Sequence, residues 1–308
     1  MNQNEDLRPM FVLGCPRSGT TLIGGFLLPS DWGNAVETHF ITKYASVALQ
    51  SDLANPKVFK SIAGRIIRER PIMQWEIPWD LDDLYQATEP KSYSELVNQI
   101  CLARSRKLGF PRWADKTPSF SFHVPLLADL FPNAKFIFIY RDGRDVANSL
   151  LERKWGPNNI WAAAEYWRTC CNALLESEKR IPENQLLSIR YEKLLEDPEP
   201  ILRRLLAFLE YQASDEQIEQ MASRVRGNNS NKWKTNLSQK SIQIFERTAG
   251  AMLRKLGYET STELPPINVL EHTFYAAHDS LVWATHMFDQ NVLDAIRIKY
   301  FGKQPFNE

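Results

Sequence analysis

The sequence carries no excess charge of either sign: 37 Lys and Arg residues balance 37 Asp and Glu residues over 308 positions. No global field draws such a chain to nucleic acid or to an anionic membrane, so any anion site has to be built locally. Cysteine is scarce, with only Cys15, Cys101, Cys170 and Cys171. Two are adjacent and one sits beside a glycine, which gives neither a disulfide framework nor a zinc spacing and suits a reducing compartment. Long apolar runs are also missing; none approaches the ~18 residues needed to span a bilayer. The polar N-terminal stretch MNQNEDLRPM does not read as a signal peptide. The expectation is a cytoplasmic protein with no integral membrane segment and no nucleic-acid partner. Repeats, low-complexity tracts and charge blocks are absent as well.

A 44% hydrophobic share is ample for a sizeable core. Short apolar runs at 11–13, near 112–114, at 135–140 and at 186–189 alternate with helical patterns. Those patterns cover 36–50, 58–70, 92–108, the neighbourhood of 126–130, 144 to about 153, 159 to about 180, 198–210, 214–225 and 242–256. Lys135-Phe136-Ile137-Phe138-Ile139-Tyr140 is apolar on both faces, as a central parallel strand covered by helices should be. The fold class implied is α/β: a P-loop-like, doubly wound parallel sheet flanked by helices. Residues 1–260 are expected to form one domain. From Glu263 the composition breaks, and 261–308 is expected to be a helical extension packed on that domain, with one or two helices across 267–300. The segment 71–90, rich in Trp, Pro and Asp, reads as an ordered loop over the site.

Leu13-Gly14-Cys15-Pro16-Arg17-Ser18-Gly19-Thr20-Thr21-Leu22 has the glycine frame of a phosphate-binding loop, but Thr20 stands where the nucleotide-hydrolysing version has Lys. A strand entering and a helix leaving supply amide donors and a helix dipole for an anion. Arg17 can fork onto a phosphate or sulfate oxygen, and Ser18, Gly19, Thr20 and Thr21 complete the cradle. The apolar strands do not end in an obvious Asp that would hold Mg²⁺ with the loop hydroxyl, so no metal is expected. A second constellation follows the best strand: Arg141 at its carboxyl end, then Asp145, Ser149 and Arg153 at i, i+4 and i+8 of a predicted helix. Two arginines and a hydroxyl there suit a second anionic group.

CPRSGTT followed about 120 residues later by RDGRDVANS resembles the two-part cofactor site of sulfotransferases that use 3′-phosphoadenosine-5′-phosphosulfate (PAPS). The resemblance runs over residues 9–258. It is nearest to the bacterial, tyrosylprotein and heparan sulfate branches, through RWADKTP at 112–118, Tyr191-Glu192-Lys193-Leu194 and Asn231-Lys232-Trp233, where the tyrosylprotein branch has Ser-Lys-Trp. It implies that the first loop holds the 5′-phosphosulfate and that Arg141 and Ser149 hold the 3′-phosphate. Arg153 would add a basic contact, Tyr191 would lie on the adenosine side, and Asn231, Lys232 and Trp233 would complete the cofactor site. Glu37 would be the base, with His39 as its rival, and Lys116 with Arg17 would neutralise the leaving oxygen. PAP would be the product, and no metal would be required.

The resemblance implies an enzyme moving a sulfuryl group to an acceptor hydroxyl on a glycan, a lipid or a small natural product. Protein tyrosine is less expected without a secretory route. Trp75, Trp79, Asp80, Asp82 and Asp83, with Phe274, Tyr275 and Trp283 in the tail, are candidates for shaping the acceptor site. The sequence leaves room for a homo-oligomer. Two other functions suit the same scaffold: a kinase-like P-loop phosphotransferase and a noncatalytic nucleotide-binding protein.

Overall fold

Strand β1, Met10–Gly14, is apolar throughout and buried at all five positions, as a run without polar alternation requires. In the computed structural model, which describes residues 8–225, 227, 229–261 and 264–288, β1 belongs to a four-stranded parallel sheet of order β2-β1-β3-β4. The others are β2 (Ala114–Asp115), β3 (Lys135–Tyr140) and β4 (Leu186–Arg190). β1 pairs with β3 from Met10 opposite Lys135 to Gly14 opposite Ile139. β3 is buried along its whole length, whereas burial alternates along the edge strand β4. The connection leaving β1 runs to β2 on one side, and the connection leaving β3 runs to β4 on the other. The carboxyl ends of β1 and β3 therefore flank the topological switch point, where open α/β sheets bind ligands.

Between β1 and β2 lie α1 (Thr20–Phe26), α2 (Phe40–Leu49), α3 (Pro56–Ile67), α4 (Arg70–Met73), α5 (Leu81–Ala87) and α6 (Tyr93–Lys107). α7 (Val124–Leu130) precedes β3; α8 (Gly143–Leu150) and α9 (Ile160–Glu178) follow it. After β4 come α10 (Tyr191–Glu196), α11 (Pro198–Phe208) and α12 (Asp215–Ala222). The last three are α13 (Trp233–Asn236), α14 (Gln239–Lys255) and α15 (Val269–Phe288). The sequence thus describes an α/β protein with a doubly wound sheet flanked by helices, as expected. The 71–90 segment is not simply a loop. Asp80 accepts from the Asp82 and Asp83 amides at 2.7 and 3.0 Å and so caps α5.

The chain divides into two compact units, Met1–Arg141 with Cys170–Asn229, and Asp142–Thr169 with Ser230–Glu308. The first contains the whole sheet. On one face Met10, Val12, Ile137, Ile139 and Ile189 pack with Ile23, Leu194, Leu202 and Leu205. Phe11, pointing the other way from β1, meets Trp113, Phe131 and Phe136 at centroid distances of 5.5–5.8 Å. Ile137 is fully buried mid-strand, so Ile137→Val is expected to cost about 0.5–1.5 kcal/mol, read as a lowered midpoint of chemical denaturation.

The second unit is built from helices. Arg144 is buried between Asp142 (2.8 Å) and Glu246 (2.7 Å), with its guanidinium 3.8 Å from the centre of the Trp233 ring. Two charged partners and an aromatic face compensate the burial of that cation. α15 docks through the Arg247–Glu271 pair, the Asn158 amide on Asp279 (2.7 Å) and Trp161 against His272 and Tyr275. Of the one or two helices expected across 267–300, α15 runs unbroken from Val269 to Phe288; 289–300 lies outside the described residues. Among the described residues no helix is long and apolar enough to cross a membrane.

Candidate active site

β1 ends at Gly14, and the loop that follows is a tight turn. The Ser18 amide closes onto Cys15 O (3.0 Å), with Arg17 at φ 73° and Gly19 at φ 104°. The helix begins there, since the amides of Leu22 and Ile23 donate to Gly19 O. The amides of Thr20 and Thr21 precede any intrahelical acceptor, and no side chain caps them. Ser18 Oγ is buried with no hydrogen-bond partner among the described residues, and a buried hydroxyl in that condition calls for a ligand or water. Ser121 Oγ braces the strand end, accepting from Gly14 N (3.1 Å) and donating to Gly14 O (3.2 Å). This cradle of amides, one orphan hydroxyl and the exposed Arg17 fits a phosphate-like group.

Arg141, at the end of β3, turns back toward the loop. Its Nη1 donates to Arg17 O (2.9 Å) and its Nη2 to Asn229 O (2.5 Å), with the guanidinium 4.5 Å from the Tyr191 ring centre. Asn229 in turn donates to the Tyr191 hydroxyl (2.8 Å). Arg141 and Tyr191, inferred as separate cofactor contacts, therefore meet in one cluster. That cluster also holds the left-handed turn at Arg17.

Glu37 is expected within a helix over 36–50; α2 instead starts at Phe40, 36–38 is extended, and His39 turns into the helix at φ 52°. Val36 bridges Asp115 in parallel, with Val36 N on Ala114 O (3.2 Å) and Lys116 N on Val36 O (2.7 Å). Those ladder bonds hold the extended form. Lys116 Nζ donates to Glu37 Oε1 at 2.7 Å, and His39 Nε2 lies 3.5 Å from Glu37 Oε2. The lysine stem passes α1 at Gly24, where an added Cβ would stand 3.2 Å from Lys116 Cδ. Both candidate bases and the candidate leaving-group lysine are thus in contact.

His39 and Lys116, acting against partial burial, hold the Glu37 carboxyl down at about 2, while Glu37 raises His39 above its ordinary value. A depressed carboxyl stabilises the fold above its unfolded pKa, near 4.5, and loses that contribution as pH falls toward 2. In an NMR titration of the unliganded protein, Glu37 is expected to titrate near pH 2 and to move up in Lys116→Ala. A midpoint near 4.5 in the parent would contradict the pairing.

The second constellation lies in the second unit and departs from its expected geometry. α8 ends at Leu150, and Arg153 sits exposed in a turn, its amide on Leu150 O (2.9 Å). The chain turns back there, the Gly156 amide donating to Arg153 O (3.0 Å), and Gly156 lies so close that a Cβ would come 2.5 Å from Leu150 O. Asp145, Ser149 and Arg153 therefore do not line one helix face. Asp145 accepts from the amides of Asn231 (2.6 Å) and Trp233 (3.0 Å), fixing the segment that carries Lys232. Asn231 is at φ 59°, a left-handed position where Asn is enriched, which accounts for Asn where the resembling branch has Ser. Ser149 is half-buried, Lys232 is exposed and Trp233 is buried over Arg144.

The sulfotransferase family model matches residues 9–215. The chain belongs to the sulfotransferase family. Protein-tyrosine sulfotransferase A of Caenorhabditis elegans is 26% identical over 285 residues, 83% of this chain and 68% of that protein. The protein-tyrosine sulfotransferase of Drosophila melanogaster is 26% identical over 221 residues; the match takes in 69% of this chain and 40% of the fly protein. The sulfotransferase domain of the Synechococcus PCC 7002 olefin synthase has a TM-score of 0.53 at 19% identity, over 83% of this chain and 96% of that domain, which shows a shared fold.

Sequence reasoning missed Thr38, Asp115 and Thr117, which bond to one another behind Glu37 and Lys116, and Asn229, which joins Arg141 and Tyr191. The alternation in Glu37-Thr38-His39 and Asp115-Lys116-Thr117 is the one signal that could have found three of them, once the two stretches are paired. Among the described residues no group of three or more His, Cys, Asp or Glu is arranged to hold a metal ion.

Proposed function

We propose that the protein transfers a sulfuryl group from PAPS to an acceptor hydroxyl, with Glu37 as base and Lys116 assisting the leaving oxygen. The observation that carries this reading is the Lys116–Glu37 contact at 2.7 Å, in the same unit as a loop whose buried Ser18 hydroxyl is unpartnered. When bound, PAPS supplies the activated sulfuryl group, and PAP is the product. Gly19, Thr20 and Thr21 amides with Ser18 and Arg17 bind its phosphosulfate end. Glu37 takes the acceptor proton at a carboxylate oxygen that Lys116 vacates, and Lys116 brings its charge to the bridging oxygen. His39 contacts the same carboxylate and orients it. Arg141 and Tyr191 are proposed contacts to the rest of the donor. Ser149, Arg153, Asn231, Lys232 and Trp233 are proposed as donor contacts on resemblance alone. Residues 1–260 are assigned as the transferase domain, with 261–308 as its extension.

The relatives' names add protein tyrosine to the glycan, lipid and natural-product hydroxyls as acceptor classes. A labelled-sulfate assay with PAPS against panels of all four tests the reading, run with and without a Mg²⁺ chelator. Transfer of label that survives chelation supports it. Phosphoryl transfer from ATP that stops with the chelator would move the assignment to the kinase-like alternative.

A further inference from the structure

The segments that carry Glu37 and Lys116 are extended neighbours, so side chains alternate between two faces. Glu37 and Lys116 meet on the more open face, and His39, at φ 52° just past the extended run, brings its ring to Glu37. Thr38, Asp115 and Thr117 are 1%, 0% and 0% exposed. On the buried side the Thr38 amide, between the two candidate bases, donates to both Asp115 Oδ2 and Thr117 Oγ1 at 3.0 Å. Thr117 Oγ1 donates to Asp115 Oδ2 (3.1 Å), and the Thr117 amide donates to Asp115 Oδ1 (2.6 Å). Asp115 thus collects three donors from the residues that flank Glu37 and Lys116.

We propose that Asp115 is a positioning residue: through Thr38 and Thr117 it sets the distance between the Glu37 carboxylate and the Lys116 ammonium. The proposal rests on the reading of those two groups as base and leaving-group acid. The backbone ladder alone is short, one bridge and two hydrogen bonds, and stops before Thr38. Without the carboxylate nothing in the network ties the Thr38 amide to the strand bearing Lys116 except a single threonine hydroxyl. Asparagine is a poor substitute, because its NH₂ would face an amide that also donates. Burial pushes the Asp115 carboxyl up to about 6, opposed by the Thr117 and Thr38 donors; the ionised form is the one that accepts all three. His39, Glu37 and Lys116 face this carboxylate across the strand pair.

Misplacing a reacting group by ~1 Å costs on the order of 10²-fold in rate. Asp115→Asn is therefore expected to lower kcat about 10–100-fold with the PAPS KM within about 2-fold. Thr117→Val, which leaves the charge unchanged and is the milder variant, is expected to lower kcat about 10-fold, with recovery in Thr117→Ser. A second arm needs no turnover: in unliganded Thr117→Val, followed by NMR, the Glu37 midpoint should rise from about 2 as the Lys116 ammonium moves off the carboxylate. Both variants are compared after thermal melts show a folded state. An active parent with unchanged kcat in both variants, or an unmoved Glu37 midpoint in Thr117→Val, overturns the proposal. A parent that transfers no sulfuryl group to any acceptor overturns the functional reading instead, and the NMR arm then decides the positioning claim alone.

Discussion

Glu37→Gln is expected to lower turnover about 10²–10⁴-fold while leaving PAP affinity within about 2-fold. The amide keeps the side-chain length, and its oxygen can still accept from Lys116, whose Nζ lies 2.7 Å from Glu37 Oε1. What it loses is the ability to take a proton. A carboxyl held at about 2 is a feeble base while Lys116 is bound to it, so the resting pair cannot be the reacting arrangement. In the proposed reaction Lys116 would turn to the bridging oxygen, one of the two groups that depress Glu37 would depart, and the carboxylate would gain basicity as the acceptor proton needs a home. Lys116→Ala should accordingly lose about as much turnover as Glu37→Gln, by removing the acid rather than the base. The decisive comparison is single-turnover transfer in Glu37→Gln beside His39→Gln, with PAP binding measured by calorimetry. Retention of more than about a tenth of the parent rate in Glu37→Gln, with collapse in His39→Gln, reassigns the base to His39.

Gly19→Ala should act on the opposite end of the reaction, lowering PAP affinity about 10²-fold with a smaller effect on kcat at saturation. Gly19 stands at φ 104°, and a Cβ there would lie 2.6 Å from the Tyr191 ring. The ring has to move, and it supports Arg141, which in turn holds the Arg17 carbonyl. Strain of about 1–3 kcal/mol at one left-handed residue is thus delivered to the loop that would grip the phosphosulfate. Gly25→Ala is the matched control: it lies in the same helix with nothing within 4 Å of its added methyl, and should leave PAP affinity unchanged. Calorimetry showing parent-like affinity in Gly19→Ala would sink this account.

All four strands are legible in the sequence as apolar runs, at 11–13, near 112–114, at 135–140 and at 186–189. β1 and β3 are buried on both faces, so their runs announce themselves, and Gly14-x₄-Gly19 sits where a strand meets a helix. The loop residues, Arg141 and Lys116 were readable because each follows a strand end. The extended form of 36–38 was not, because Val-Glu-Thr has no pattern of its own and is held by β2, a strand of two residues. The stop of α8 at Leu150 was equally hidden: Leu151-Glu152-Arg153 has good helix propensity, yet the chain turns there. Nor does the linear order reveal that Asp142–Thr169 clusters with Ser230–Glu308, since contacts between distant stretches decide it.

Gly24 is the residue where these lines converge. A glycine inside a helix gives up about 1 kcal/mol relative to alanine, and here the vacated methyl position lies 3.2 Å from the Lys116 stem. The helix that opens at the anion loop therefore also works as a stop for the reach of the lysine. Loop and ammonium are gauged from the same short rod, so a change that stiffens α1 at this point retunes the cation as well. An engineer seeking a sturdier loop should expect Gly24→Ala to trade thermal stability against the stroke of Lys116, and should look elsewhere on α1 for gains without that exchange.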